Sequence, residues 1–109
     1  MVSLRDAIEG ASLDDIAAVL TPDVVWVGLY PGELCRNKDQ VLEMFERLRY
    51  REDQLHPTVV AKRDDFLIVD PGIDERHHVL VLDGDLISEV RVYPDRRAAL
   101  AAVEERPPW

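Results

Sequence analysis

The sequence predicts one α+β domain in which an antiparallel sheet packs against amphipathic helices. Three observations carry that reading. The segments run helix, helix, strand, long helix and then four strands in succession, not the strict alternation of a parallel sheet. The stretch from His77 to Asp95, HHVLVLDGDLISEVRVYPD, reads as two long strands joined at Asp83-Gly84-Asp85 and stopped by Tyr-Pro-Asp. At 109 residues, the chain has room for one domain, 1–109.

The elements follow from local chemistry. Ser3 with Asp6 is a capping pattern, and Leu4, Ala7, Ile8 and Ala11 share one helix face. Ser12 with Asp15 repeats the signal for a second helix, whose stripe is Leu13, Ile16, Ala17 and Leu20 and whose stop is Thr21-Pro22-Asp23. Val24 to Tyr30 is rich in β-branched and aromatic residues and predicts a buried strand. Val24, Trp26, Gly28 and Tyr30 share one of its faces. Pro31-Gly32 turns the chain outward, and Cys35-Arg36 suits a short return strand. Asn37 with Gln40 opens the longest helix, with Val41, Met44, Phe45 and Leu48 as its stripe. After a polar connection, Thr58–Arg63 and Phe66–Asp70 form a hairpin about Asp64-Asp65. The long hairpin follows, with strands near 77–83 and 86–93. Asp95 then caps a helix from Arg96 to about Arg106, which Pro107-Pro108 ends.

Composition excludes several functions. A formal net charge of −9 disfavours nucleic acid and anionic lipid as partners. No apolar run approaches the roughly 20 residues that cross a bilayer. The opening MVSLRDAIEG carries acid early and reads as no secretory signal. A single cysteine, Cys35, forms no internal disulfide, and a cytoplasmic location is expected. His56, His77 and Cys35 are scattered without paired ligand spacing, so no metal and no other cofactor is expected. The glycines are isolated and form no phosphate-binding loop.

Three blocks carry a resemblance: LDDIAAVLTPDVVWVG, RNKDQVLEMFERL and DGDLISEVRVYPDRRAALAAV. Together they resemble the nuclear transport factor 2-like superfamily, nearest its SnoaL-like, polyketide cyclase-related branch, across residues 4–103. The resemblance implies a cone of the cystatin-like kind: a curved antiparallel sheet wrapped around N-terminal helices, with a C-terminal helix and a pocket at the wide end. It also implies a homodimer through the outer face of the sheet. The sequence agrees, because the last strands are apolar on both faces (Val79 and Val81 against Leu80 and Leu82) and helices are expected to cover only one.

The best-understood relative, ketosteroid isomerase, uses an Asp base with an oxyanion hole built from a Tyr and a protonated acid. Aligned on this chain, the base position falls at Gly28, the Tyr position at Leu4 and the acid position near His77. Two of the three roles are vacant, which argues against that proton-transfer design.

The remaining catalytic candidates are His77 and Asp70. His77 and His78 are adjacent on a strand and face opposite ways, with His77 expected toward the pocket. Asp70 ends a strand and is either a base raised by desolvation or a turn residue bonding its own backbone. Glu89 and Arg91 are placed outside, with Leu86, Ser88, Val90 and Val92 toward the helices. The expected ligand-binding set is Trp26, Tyr30, Phe45, Ser88 and Val90, suited to an apolar or ring-containing small molecule. Trp109 either folds over the opening or frays. Two functions fit this set. One is a small-molecule-binding domain with cyclase- or isomerase-like acid–base chemistry. The alternative is a non-catalytic dimeric interaction domain whose pocket is filled by its own side chains.

Overall fold

The computed structural model describes residues 4–10, 13–29, 34–51, 57–71 and 75–104. Its elements are α1 (Leu4–Gly10), α2 (Leu13–Ala18), β1 (Leu20–Val27), β2 (Leu34–Cys35), α3 (Lys38–Arg51), β3 (Thr58–Lys62), β4 (Phe66–Asp70), β5 (His77–Asp83), β6 (Leu86–Tyr93) and α4 (Arg96–Glu104). The expected caps at Ser3 and Ser12, the Pro31-Gly32 turn, Tyr30, His56, Trp109 and the Pro107-Pro108 stop lie outside the described residues.

The strands form one curved, open six-stranded sheet in the order β2-β1-β6-β5-β4-β3. Every neighbouring pair is antiparallel except one: β1 runs parallel to β6. The sheet is therefore mixed rather than antiparallel throughout. Parallel neighbours need a long crossover, and here the crossover is α3 together with the β3–β5 meander. The α+β class and the cystatin-like, nuclear transport factor 2-like architecture stand as expected.

Local chemistry explains the boundaries. Asn37 Oδ1 accepts the Gln40 amide at 2.9 Å, and Gln40 Oε1 accepts the Arg36 amide at 2.8 Å, so two free donors at the start of α3 are satisfied reciprocally. Asp95 Oδ1 accepts the Ala98 amide at 2.8 Å and caps α4. At the tip of the long hairpin Asp83 pairs with Leu86, and Gly84 takes φ +62°, the left-handed value a two-residue turn needs. Leu20 is not the end of a helix: α2 stops at Ala18, and Leu20 opens β1 opposite Ile87. Pro22 then sits within the strand, where the β1–β6 register shifts between Leu20 and Val25. An irregular stretch of this kind tolerates the missing N–H.

Two cores lie on opposite faces of the sheet. The inner one joins Val24, Trp26, Leu67, Val69, Leu80, Ile87 and Val90 to Ile8, Ile16 and Val41 from the helices. On the outer face Ile68 and Val79 pack against Ala99, with Phe66, Tyr93, Leu100 and Val103 around them. Thus α4 crosses β4, β5 and β6 on the outer face. The double-sided apolar pattern of β5 is explained by the chain's own last helix, and the expectation that helices cover one face only is corrected.

Candidate functional site

The inner face converges on Trp26. Alternation along β1 turns Val24 and Trp26 inward and Val25 and Val27 outward. Trp26 stands opposite Val90 of β6, which is fully buried. The Phe45 ring of α3 meets Trp26 edge to face, with centroids 5.2 Å apart and planes at 88°. The His78 imidazole meets it from β5 at 5.1 Å and 78°. Both are arrangements that aromatic quadrupoles favour. Trp26 is 3% exposed and His78 5%.

His78, not His77, is thus the imidazole on the helix side. The reason is one residue in β6. Leu82 pairs with Ile87, but Val81 pairs with Glu89, so Ser88 is an extra residue in the strand. Without the bulge Val92 would face His77; with it, Val92 faces His78. The same shift puts Ile87 and Val90 in the inner core and leaves Leu86 37% exposed, so Leu86 and Ser88 are not part of the inward set. The Ser88 hydroxyl donates to the Val81 carbonyl at 3.3 Å. Two apolar residues separated by Ser88-Glu89, where strict alternation would space them differently, were the available signal.

Burial holds the His78 pKa at about 4, with Arg76 and His77 adding to the effect and Asp70 opposing it. At neutral pH its imidazole is uncharged. It can exchange one hydrogen bond with a guest but is poorly matched to proton transfer, which works best with a pKa near the operating pH. His77 lies on the outer face, paired with Tyr93, and its Nδ1–H donates to the Glu75 carbonyl at 2.9 Å. Asp70 pairs with Thr58 at the end of β4, and alternation from Ile68 places it on the outer face as well. The two residues expected to serve a reaction are therefore on the far side of the sheet from Trp26. Glu89 and Arg91 are outside as expected, joined by a 3.0 Å ion pair.

Gly28 follows β1 without a side chain, and Leu4 packs against the inner core. Cys35 is buried opposite Trp26, and desolvation raises its pKa, so the thiol stays protonated and weakly nucleophilic. Among the described residues no group of three His, Cys, Asp or Glu is placed to hold a metal ion, and no helix is long and apolar enough to cross a membrane.

An open curved sheet with helices in its concavity defines a class, the nuclear transport factor 2-like, cystatin-like fold, and this chain has it. Among solved structures it is similar to a SnoaL-like protein of unknown function from Burkholderia thailandensis, with a TM-score of 0.65, 16% identity, and 82% of this chain and 85% of that one covered. It is also similar to a protein of ketosteroid isomerase-like fold from Catenulispora acidiphila, solved in complex with trimethylamine, with a TM-score of 0.61, 15% identity, and 98% and 93% covered. A de novo designed protein with a curved β-sheet superposes as well, with a TM-score of 0.62, 15% identity, and 91% and 87% covered. No protein-family model and no curated protein matches the sequence. That a designed chain shares the shape makes the general point that a fold sets a concavity and not a reaction.

Proposed function

We propose that this chain is a small-molecule-binding SnoaL-like domain that takes an apolar, ring-containing guest against Trp26, Phe45 and Val90, with His78 supplying one polar contact. The observation that carries this reading is the neutral, buried His78 imidazole at 5.1 Å from Trp26. A lone hydrogen-bonding group among apolar rings is how small-molecule sites fix orientation. Acid–base turnover of the isomerase kind draws little support, since the base position is Gly28 and the His78 pKa is about 4. A thermal-shift screen of ring-containing hydrophobic compounds tests the reading. A guest should raise the melting temperature with concentration, by mass action, and should lose that effect in His78→Phe. A flat response across the panel contradicts it.

The alternative, a filled and non-catalytic interaction domain, is favoured by the 3% exposure of Trp26. Under either reading we place a homodimer contact on the outer face beyond α4, where Val25, Val27 and the 44%-exposed Leu34 lie beside the Glu89–Arg91 pair. Sedimentation equilibrium of the wild type and of Leu34→Glu tests it, and a monomeric wild type rejects it. A cytoplasmic setting fits the single protonated thiol.

A further inference from the structure

The apex of the long hairpin holds Asp83, the one aspartate in the sequence that is followed by glycine. Every other aspartate, and the lone asparagine Asn37, precedes a residue with a side chain. That difference governs one reaction of the backbone. An amide nitrogen can attack the carboxyl carbon of the residue before it, and a side chain on the attacking residue crowds the approach. Gly84 has none.

The structure leaves this pair free to react. Asp83, Gly84 and Asp85 are exposed, and a Cβ at Gly84 would meet nothing within 4 Å, so a ring has room to close. Neither the Asp83 carboxylate nor the Gly84 N–H has a hydrogen-bond partner among the described residues. The Leu82 amide donates to the Asp65 carbonyl at 2.9 Å, and the Ile87 amide to the Val19 carbonyl at 2.7 Å. Both strands are thus anchored up to the turn. Beyond these anchors Asp83 pairs with Leu86, the terminal rung of the β5–β6 ladder. Terminal rungs open at low cost. Opening releases Asp83 from the extended backbone that keeps its carboxyl away from the next nitrogen.

We propose that Asp83 is a site of spontaneous isoaspartate formation. The Gly84 nitrogen bonds to Asp83 Cγ, and the carboxyl hydroxyl leaves with the amide proton as water, closing a succinimide ring. Water then opens the ring. Addition at Cγ restores the aspartate. Addition at the Asp83 main-chain carbonyl carbon breaks its bond to Gly84, so the main chain runs through Cγ and the former carbonyl becomes a free carboxylate. The water lost in the first step returns in the second, and the mass is unchanged. The turn now carries an extra methylene in its main chain, which disrupts the Asp83–Leu86 pair. The Leu82 and Ile87 anchors keep the rest of the sheet in register.

The test is to hold the folded chain in warm neutral buffer and digest it with trypsin beside an unaged sample. Peptide 77–91, released by cuts after Arg76 and Arg91, should separate into two species of equal mass. The new species should accept a methyl group from isoaspartyl methyltransferase, and electron-transfer fragmentation should place the change at Asp83 and not at Asp85. Asp83→Glu keeps the charge but cannot close the same ring, and should abolish the product. Gly84→Ala should slow it several-fold. In the aged ¹⁵N-labelled chain the amide signals of 83–86 should double, while those of Trp26 and His78 stay single. An equal-mass product that forms in urea but not in the folded chain overturns the proposal. So does a product at Asp85, or one undiminished in Asp83→Glu.

Discussion

Glu9 Oε2 accepts the Val59 amide at 3.1 Å, joining α1 to the edge strand β3 across 50 residues. Edge strands present unpaired amides that invite pairing with another chain, and β3 is the edge on this side of the sheet. The Val59 bond is the main cause of a lowered Glu9 pKa, followed by the Arg5 guanidinium at 3.0 Å. A depressed carboxylate pKa contributes stability that is fully present above the unfolded value, 4.5, and is lost as pH falls through the folded one. Protection of the Val59 amide, taken relative to intrinsic exchange at the same pH, should therefore fall in Glu9→Ala at neutral pH, and in the wild type only in acid. Equal protection in both proteins at pH 7 would contradict this.

His78 predicts a second, separate pH dependence. Its pKa is lowered from 6.5 to about 4, so the unfolded chain takes up a proton that the folded one refuses. Stability is fully present above pH 6.5 and declines as pH falls toward 4, by up to roughly 3 kcal/mol. Urea unfolding at pH 7 and pH 5 should show the decline in the wild type and much less of it in His78→Phe. An equal slope in the two proteins would mean that His78 is solvated.

Most of the architecture is legible in local chemistry. The Asn37–Gln40 cap, the Asp95 cap, the Asp64-Asp65 and Gly84 turns and the inward placement of Trp26 all depend on residues near one another in the chain. The misplaced features depend on long-range pairing. The parallel β1–β6 contact joins strands about sixty residues apart, and nothing local distinguishes it from an antiparallel one. The side facing of His77 and His78 turns on a single bulge residue, Ser88, because a one-residue slip reverses every side chain beyond it. The covered outer face hinged on where α4 would dock, which its Ala-Leu stripe does not specify.

Gly84 should resist substitution for a backbone reason alone. A Cβ there meets nothing within 4 Å, so the whole cost is the left-handed φ of +62°. Gly84→Ala should destabilise by about 1–2 kcal/mol, and Gly84→Asn by less, since Asn tolerates that region. Chemical denaturation of both variants checks the order.

Thr21 offers a gain. Its Oγ1 is buried and finds no hydrogen-bond partner among the described residues. Thr21→Val keeps the β-branched shape and removes the unsatisfied hydroxyl, so stability should rise by about 1 kcal/mol. A loss of stability in thermal unfolding would show that the hydroxyl is satisfied in solution.

The proposed guest lies on the Trp26–His78 side of the sheet, and the histidine ring protons report on it directly. In a ¹H–¹³C spectrum titrated with 2-naphthol and related two-ring compounds, the His78 Cε1–H signal should move saturably while that of His77, on the opposite face, stays in place. A fixed His78 signal throughout, or movement of His77 instead, would contradict the account.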